Sequence, residues 1–563
     1  MFKMLYVALL CLLLTATTAA LNFDWEREQL TDEEVARNDA LRSGSVSAIA
    51  APDSCKIIPG DPEWPSEDAW DSFNATLGGT LLKPKPLASV CYAGEGYSAA
   101  KCEQLKSSWA GMNLHSDDPA SIMSQWASGN TCTPTSQPIS NSVAYAAGAQ
   151  AYEGSALMRQ KNMVMIVAGG GTVGIAGGFL QGGGHSAYTS YYGLAADQVL
   201  AITAVTADGR VVEAHEGENE DLFWAFRGGG GGTFGIITSV VVKAFPATPI
   251  ASSSIRFSTT PDRGSSASPI STETFWAGMR AYWEFSVAIC DAGGLGYSFI
   301  YPNSSTAGLT FTVSISVPNK TIAEYQRFIR PLLQNLNDLG IEQRMPTVKR
   351  SLTPPFSYEE GNKDEASSLS KRVLGETTGH TLIASRFFPR TTFSSHSTLE
   401  ISHLAIRHVV ENGSLTFHGM NYAPILSISG NPNNSVNPAF RTTVLHAQAY
   451  ESNAHWDGRA PILSHEALTE RHERLQGYMQ TWRDITVGSG SYINEGDAQD
   501  WEWKEAFFGS NYEELARVKR KYDPEGVFWA IGGVGSDEWE IRDVDGGKRE
   551  GIVTQDGRLC KVG

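Results

Sequence analysis

Residues 167–186 read VAGGGTVGIAGGFLQGGGHS, nine glycines in twenty positions. Glycine loses more backbone freedom on folding than any other residue, so such a run needs a structural use. Three uses compete. A flexible linker would be polar and serine-rich, whereas Val173, Ile175, Ala176, Phe179 and Leu180 interleave with these glycines and favour burial. A close-packed turn would need glycine for sterics alone. A cradle of bare amide N–H groups would form an anion-binding nest for a pyrophosphate. The G-x-G-x-x-G spacing of a dinucleotide fold and the GK[ST] of a P-loop are both missing.

A second glycine block, FRGGGGGTFGIIT at 226–238, runs straight into a β-branched stretch. Between the blocks, AITAVTADGRVVEA alternates around Asp208-Gly209 and predicts a β-hairpin. ENEDLFWAF predicts a helix start and GIITSVVVKAF a strand. Two glycine blocks flanking a hairpin place two backbone segments against one ligand.

The whole chain has 563 residues, enough for two or three domains. Its net charge of −17, with no compensating basic block, disfavours nucleic acid and anionic membranes as partners. Residues 1–20 have Lys3, an apolar run at 5–14 and Ala19-Ala20, the pattern of a secretory signal, too short for a confident membrane span. Six cysteines remain beyond it, an even number suited to disulfides in an oxidising compartment. Glycosylation triplets stand at Asn74, Asn303, Asn319, Asn412 and Asn433. No cysteine or histidine spacing suggests a metal site. Around Pro246 the composition shifts to serine- and threonine-rich loops, β-rich segments (GLTFTVSISV, LTFHGM, TTVLHAQAY) and amphipathic stretches, a second domain. Near the end, GSNYEELARVKRKYDPEGVFW predicts a helix capped by Asn511, with Glu514 at the capping-box position and a basic, solvated face at Arg517, Lys519, Arg520 and Lys521.

TVGIAGGFLQGGGHSAYTSYYGLAADQVL, VTADGRVVEA, DLFWAFRGGGGGTFGIIT and the closing SYINEGD with FFGSNYEELARVKRKYDPEGVFW occur in an order that resembles the vanillyl-alcohol-oxidase superfamily. The likeness is to its berberine-bridge-enzyme-like group. CKIIPGDPEWPSEDAW and the ending VGSDEW…GRLCK resemble the fungal branch that includes isoamyl alcohol oxidases. The resemblance implies an α+β fold: a PCMH-type FAD-binding domain over 55–247, a mixed α/β substrate domain with an antiparallel sheet over 248–475, and a C-terminal segment, 476–563, returning to the FAD domain. Residues 21–54 would be an N-terminal extension.

It implies a secreted or vacuolar oxidase that passes a hydride from a small alcohol or secondary metabolite, mycotoxin precursors included, to FAD and then to dioxygen. Gly169, Gly170, Gly171, Thr172, Gly174, Gly177 and Gly178, with Gly182, Gly183, Gly184 and His185, would line the flavin and its pyrophosphate. Thr233, Gly235 and Ile236 would form a second edge. Asn494 would reach the isoalloxazine, Asn511 would lie close to it, and Tyr492 would be the base if its pKa were lowered. His185 would orient its loop; Tyr191 and Tyr192 would be wall or core aromatics.

Two departures stand out. Gly170 occupies the position of the cysteine that anchors FAD in many relatives, which implies non-covalent FAD. The family's early lobe, with its flavin-anchoring histidine loop, is missing where TCTPTSQPIS runs directly into NSVAYAAGAQAYE. Its loss would leave unpaired strand edges and Cys132 without its partner. Two explanations follow: a mis-spliced or mis-predicted gene product, or a remnant that binds ligand with weak or no FAD.

Overall fold

A computed structural model describes residues 54–109, 149–260, 269–303, 308–352, 382–451, 463–543 and most of 547–562, less a few single positions. The signal segment, Cys132 and the junction near 140 lie outside the described residues. Helices α1 (Glu67–Thr76), α2 (Ala99–Ser108) and α3 (Ala151–Gln160) lead into the glycine run.

The alternating apolar residues after it form the expected hairpin. Strand β1 (Val199–Val205) pairs with β2 (Val211–His215), turning at Gly209. Helix α4 (Glu220–Phe226) follows, and β3 (Ile236–Val242) returns along the other edge of β1. Ile202, Ala204, Ala214, Leu222, Phe223 and Phe226 are buried together beneath this sheet.

The second sheet is antiparallel and seven-stranded. In chain order its elements are β4 (Ile250–Ser258), α5 (Thr272–Asp291), β5 (Leu295–Asn303), β6 (Gly308–Pro318), α6 (Ile322–Asp338) and β7 (Lys349–Ser351). Then come β8 (Leu382–Pro389), α7 (His396–Glu411), β9 (Thr416–Asn421), β10 (Thr443–Glu451) and α8 (His465–Ile485). The spatial order is β8-β10-β9-β5-β6-β4-β7.

Period-two alternation gives this sheet two unlike faces. Leu445, Ala447, Ala449, Phe417 and Phe388 point one way and join the helices in the largest core. His446, Gln448 and Tyr450 of β10, and His418 and Met420 of β9, occupy the opposite positions, with Gln448 directly across from His418. Met420 and Phe387 on that face pack with Phe179 and Tyr188 of the glycine-rich part and with Tyr492 of the C-terminal segment. The sheet therefore presents its polar face to the glycines.

Helix α9 (Tyr512–Tyr522) caps the first sheet through Leu515 and Val518. Strands β11 (Trp539–Arg542) and β12 (Arg558–Lys561) close the chain, and a Cys55–Cys560 disulfide ties its beginning to its end.

Several expectations need correction. The boundary at 475 falls inside α8, whose Met479 and Trp482 belong to the sheet core. The cysteines do not all pair: Cys91 bonds Cys102, but Cys290 is a buried free thiol near the Val444 carbonyl. Asn511 does not cap α9 with its side chain. Glu514 pairs with Arg517 instead of completing a capping box. Lys519 leaves the solvated face; it is buried, because it follows Val518 and lies four residues after Leu515 on the inward side.

Candidate active site

The two glycine blocks meet. A Cβ on Gly231 would stand 2.7 Å from the Gly178 Cα, and the Gly230 N–H donates to the Gln181 carbonyl at 3.0 Å. One edge of the first block is held by residues 149–152. Ala151 N–H donates to the Val173 carbonyl (2.9 Å), Tyr152 N–H to that of Gly171 (3.0 Å), and Ile175 N–H to that of Ala149 (2.8 Å). The other edge is open. Among the described residues, nothing lies within 4 Å of where a Cβ would stand on Gly174 or Gly177, and Gly177 is exposed.

The later glycines do a different job. Gly182, Gly183 and Gly184 are buried, and a Cβ on Gly184 (φ +83°) would stand 2.6 Å from the Ala195 Cβ. A Cβ on Gly182 would stand 2.6 Å from the Asn494 Nδ2. Turn packing and open cradle thus divide the run between them, and neither alone explains it.

Tyr492 and Asn494 clamp this wall. Asn494 Nδ2 donates to the Gly178 carbonyl (2.6 Å) and to the Tyr492 hydroxyl oxygen (2.7 Å), which also accepts from the Gly184 N–H (3.1 Å). Behind the clamp lies a cluster of ionisable groups. Glu495 Oε1 accepts from His185 Nε2 at 2.8 Å, and its Oε2 accepts from Gln448 Nε2 at 2.5 Å. His446 Nδ1 lies 3.6 Å from Oε2 and 3.1 Å from the Tyr422 hydroxyl. His418 Nδ1 donates to Gln448 Oε1 at 3.0 Å.

Electrostatics follow from this enclosure. Burial opposes the Glu495 charge, but His185, His446 and His418 outweigh it and hold the carboxyl at about 2. Burial pushes His446 down to about 3 and His418 to about 4, against the pull of Glu495. Burial and the Glu495 charge raise Tyr492 well above the ordinary tyrosine range. The expected base needed a lowered pKa, and these surroundings shift Tyr492 the other way while its oxygen accepts two hydrogen bonds.

The expected second edge is built for packing. A Cβ on Gly235 would stand 2.7 Å from the Val205 carbonyl, and Ile236 is exposed at the start of β3. The Thr233 carbonyl accepts from Lys519 Nζ at 2.7 Å. Asn511 donates to the Ser435 and Val436 carbonyls (3.1 and 3.2 Å), joining two loops behind the glycines. His185 does more than orient its loop, since it faces Glu495 and stacks on Tyr422 at 5.1 Å between ring centroids. Tyr192 stacks on Phe245 at 3.9 Å, a core contact. Of the glycosylation triplets, Asn319, Asn412 and Asn433 are exposed; Asn74 is half-buried on α1, and Asn303 ends β5.

Sequence reasoning missed Glu495, His446, Gln448, His418 and Tyr422. The signal was present in TTVLHAQAY, where polar His446, Gln448 and Tyr450 alternate with Leu445, Ala447 and Ala449. Three large polar side chains on one face of a central strand mark a site. His185, His446 and Glu495 also offer ligand atoms within 4.8 Å of one another. Both carboxylate oxygens, however, already accept hydrogen bonds.

Residues 491–535, which carry the Tyr492–Asn494 clamp and α9, match the family model "Berberine and berberine like". A VAO-type flavoprotein oxidase of Thermothelomyces thermophilus, VAO615, is 29% identical, covering 90% of this chain and 96% of its own. The solved structure of MtVAO615 from Myceliophthora thermophila superposes with a TM-score of 0.74 at 26% identity, over 90% of this chain and all of the other. The chain is similar to berberine-bridge-enzyme-like oxidoreductases of the vanillyl-alcohol-oxidase superfamily. The FAD-linked oxidoreductase ZEB1 of Gibberella zeae is 28% identical over 92% of this chain and 97% of its own. That alignment runs over 597 positions, more than this chain's 563, so ZEB1 carries residues with no counterpart here.

FAD is the cofactor of this oxidoreductase class, and it supplies hydride acceptance. The open edge at Gly174 and Gly177 is a cradle a Cβ would fill, as a backbone-bound pyrophosphate requires. Among the described residues, buried Gln181 Oε1, His418 Nε2 and His446 Nε2 have no hydrogen-bond partner. Orphaned polar atoms beside an open glycine face fit a polar cofactor and substrate.

Proposed function

We propose that this berberine-bridge-like protein is an FAD-dependent oxidase of a small alcohol or secondary metabolite, with dioxygen as electron acceptor and hydrogen peroxide as product. The observation that carries the reading is the uncovered face at Gly174 and Gly177 beside the Tyr492–Asn494 clamp and the buried Glu495–histidine cluster. Gly169–Gly178 would hold the pyrophosphate, and Tyr492 would donate its proton toward the flavin or substrate.

FAD would be bound without a covalent link. Gly170 offers no thiol, and Cys290 is buried in the sheet core. A metabolite substrate draws support from relatives such as the bifunctional decalin synthase calF of Penicillium decumbens, 28% identical over 90% of this chain. Passage through the secretory pathway fits the two disulfides and the exposed Asn319, Asn412 and Asn433.

A second reading, a remnant with weak or no FAD, is favoured by the extra residues of ZEB1 and by the direct junction near 140. Peroxide formation separates the two. The purified chain, supplied with FAD and a panel of benzylic, allylic and aliphatic alcohols, should consume dioxygen and form peroxide with at least one. Absence of turnover with every alcohol would favour the remnant.

A further inference from the structure

We propose that His446 is the proton acceptor of this oxidation, and that Glu495 is its positioning residue. The inference rests on the oxidase reading above and adds the group that takes the substrate hydroxyl proton.

His446 is buried on β10, and every ring around it belongs to the site. Phe387, Tyr492, His185 and Tyr422 stand 5.1, 5.9, 6.0 and 6.1 Å from it between centroids. Its two nitrogens differ. Nδ1 faces the Tyr422 hydroxyl and the Glu495 carboxylate, whereas Nε2 is buried without a partner. A carboxylate in front of Nδ1 selects the tautomer protonated there and leaves the Nε2 lone pair bare. The same carboxylate would stabilise the imidazolium once Nε2 takes a proton, as the acidic member of a triad does.

Glu495 cannot easily take the proton itself. Its Oε1 is engaged by His185 and its Oε2 by Gln448, and Gln448 is braced by His418 and Tyr450. His185, His418, Tyr422, Tyr450 and Tyr492 are the titratable neighbours of the pair. Burial keeps the resting His446 ring neutral, so its Nε2 lone pair is not already occupied by a proton. His418 also has a bare Nε2, but its ring is stacked on Phe299 at 4.1 Å, one strand away from the clamp.

The step balances. With FAD bound, the carbinol C–H bond would break and its electron pair would leave as hydride to the flavin. The O–H bond breaks toward His446 Nε2, and the C=O double bond forms. Dioxygen then takes up the two electrons and two protons, one of them from His446, as hydrogen peroxide.

The first test needs no substrate. In the full-length protein labelled with 15N in its histidine rings, a long-range correlation spectrum reports each tautomer, and His446→Asn identifies the signal. The expected result at pH 7 is a neutral ring with Nδ1 protonated, a preference that weakens in Glu495→Gln. A ring protonated on Nε2 at pH 7 would overturn the proposal. The second test is kinetic. His446→Asn, with FAD content unchanged, should lower kcat/KM about 10²–10⁴-fold, the usual worth of a positioned base. Turnover within a few-fold of the parent would overturn it. If the parent oxidises none of the alcohols, the oxidase reading fails and this proposal with it; an active parent with the wrong tautomer, or an active His446→Asn, overturns this proposal alone.

Discussion

Asn494 holds three pieces of the site at once: the Gly178 carbonyl, the Tyr492 oxygen and the space that Gly182 leaves free. Asn494 is exposed and its bond to Gly178 lies at the surface, so each lost hydrogen bond is worth about 0.5–1.5 kcal/mol. Asn494→Ala should therefore weaken FAD binding about 2–10-fold, at about 1.4 kcal/mol per tenfold, read by flavin fluorescence titration. The acid behaviour of the cluster has a definite sign. His446 and His418 are depressed from 6.5 to about 3 and 4, so below pH 6.5 the unfolded chain binds protons that the folded one refuses. Glu495, depressed from 4.5 to about 2, lends stability that is complete above about pH 4.5 and lost as pH falls towards 2. All three terms favour the folded state more as pH rises. Melting temperature should fall steadily from pH 6.5 towards 3, and His446→Asn should flatten that slope whatever it does to the level. At this scale the sequence was legible in part. Asn494 and Tyr492 stood out by motif, but Glu495 follows them directly and was passed over, because a lone acid shows no partner until His185 is brought 310 positions to meet it.

At the scale of elements, the glycine run splits into an open wall and a packed hinge, and two substitutions distinguish them. Gly231→Ala would force a Cβ against Gly178, an overpacking cost of about 1–3 kcal/mol in stability. Gly174→Ala meets nothing within 4 Å and has a φ of −67° that alanine adopts without strain. Its melting temperature should stay at the parent value while FAD affinity drops, since the added methyl fills the cradle. Equal loss of stability in both variants would mean that the wall is packing throughout. The hairpin at Asp208-Gly209 and strand β10 were readable from alternation alone, because one face of each is buried. What alternation could not tell is which face of β10 carries chemistry; that depends on the glycine-rich part lying over His446 and away from the helices. Lys519 shows the same limit, since charge placed it outside while its position after Val518 placed it within.

At the scale of the molecule, two sheets share one site. The seven-stranded sheet turns its polar face to the glycine wall, and the two parts are tied by half-buried Arg441 on buried Asp197 at 2.8 Å. The order of motifs along the chain made this arrangement readable before any distance was known. The domain boundary was not readable, because α8 continues the sheet's core past the change in composition. The central claim is that this wall holds FAD without a covalent bond. The measurement is the visible spectrum of the purified protein after acid precipitation, with supernatant and pellet read separately. Equimolar flavin in the supernatant and none in the pellet is the predicted result. A colourless protein, or flavin that stays with the pellet, would contradict it.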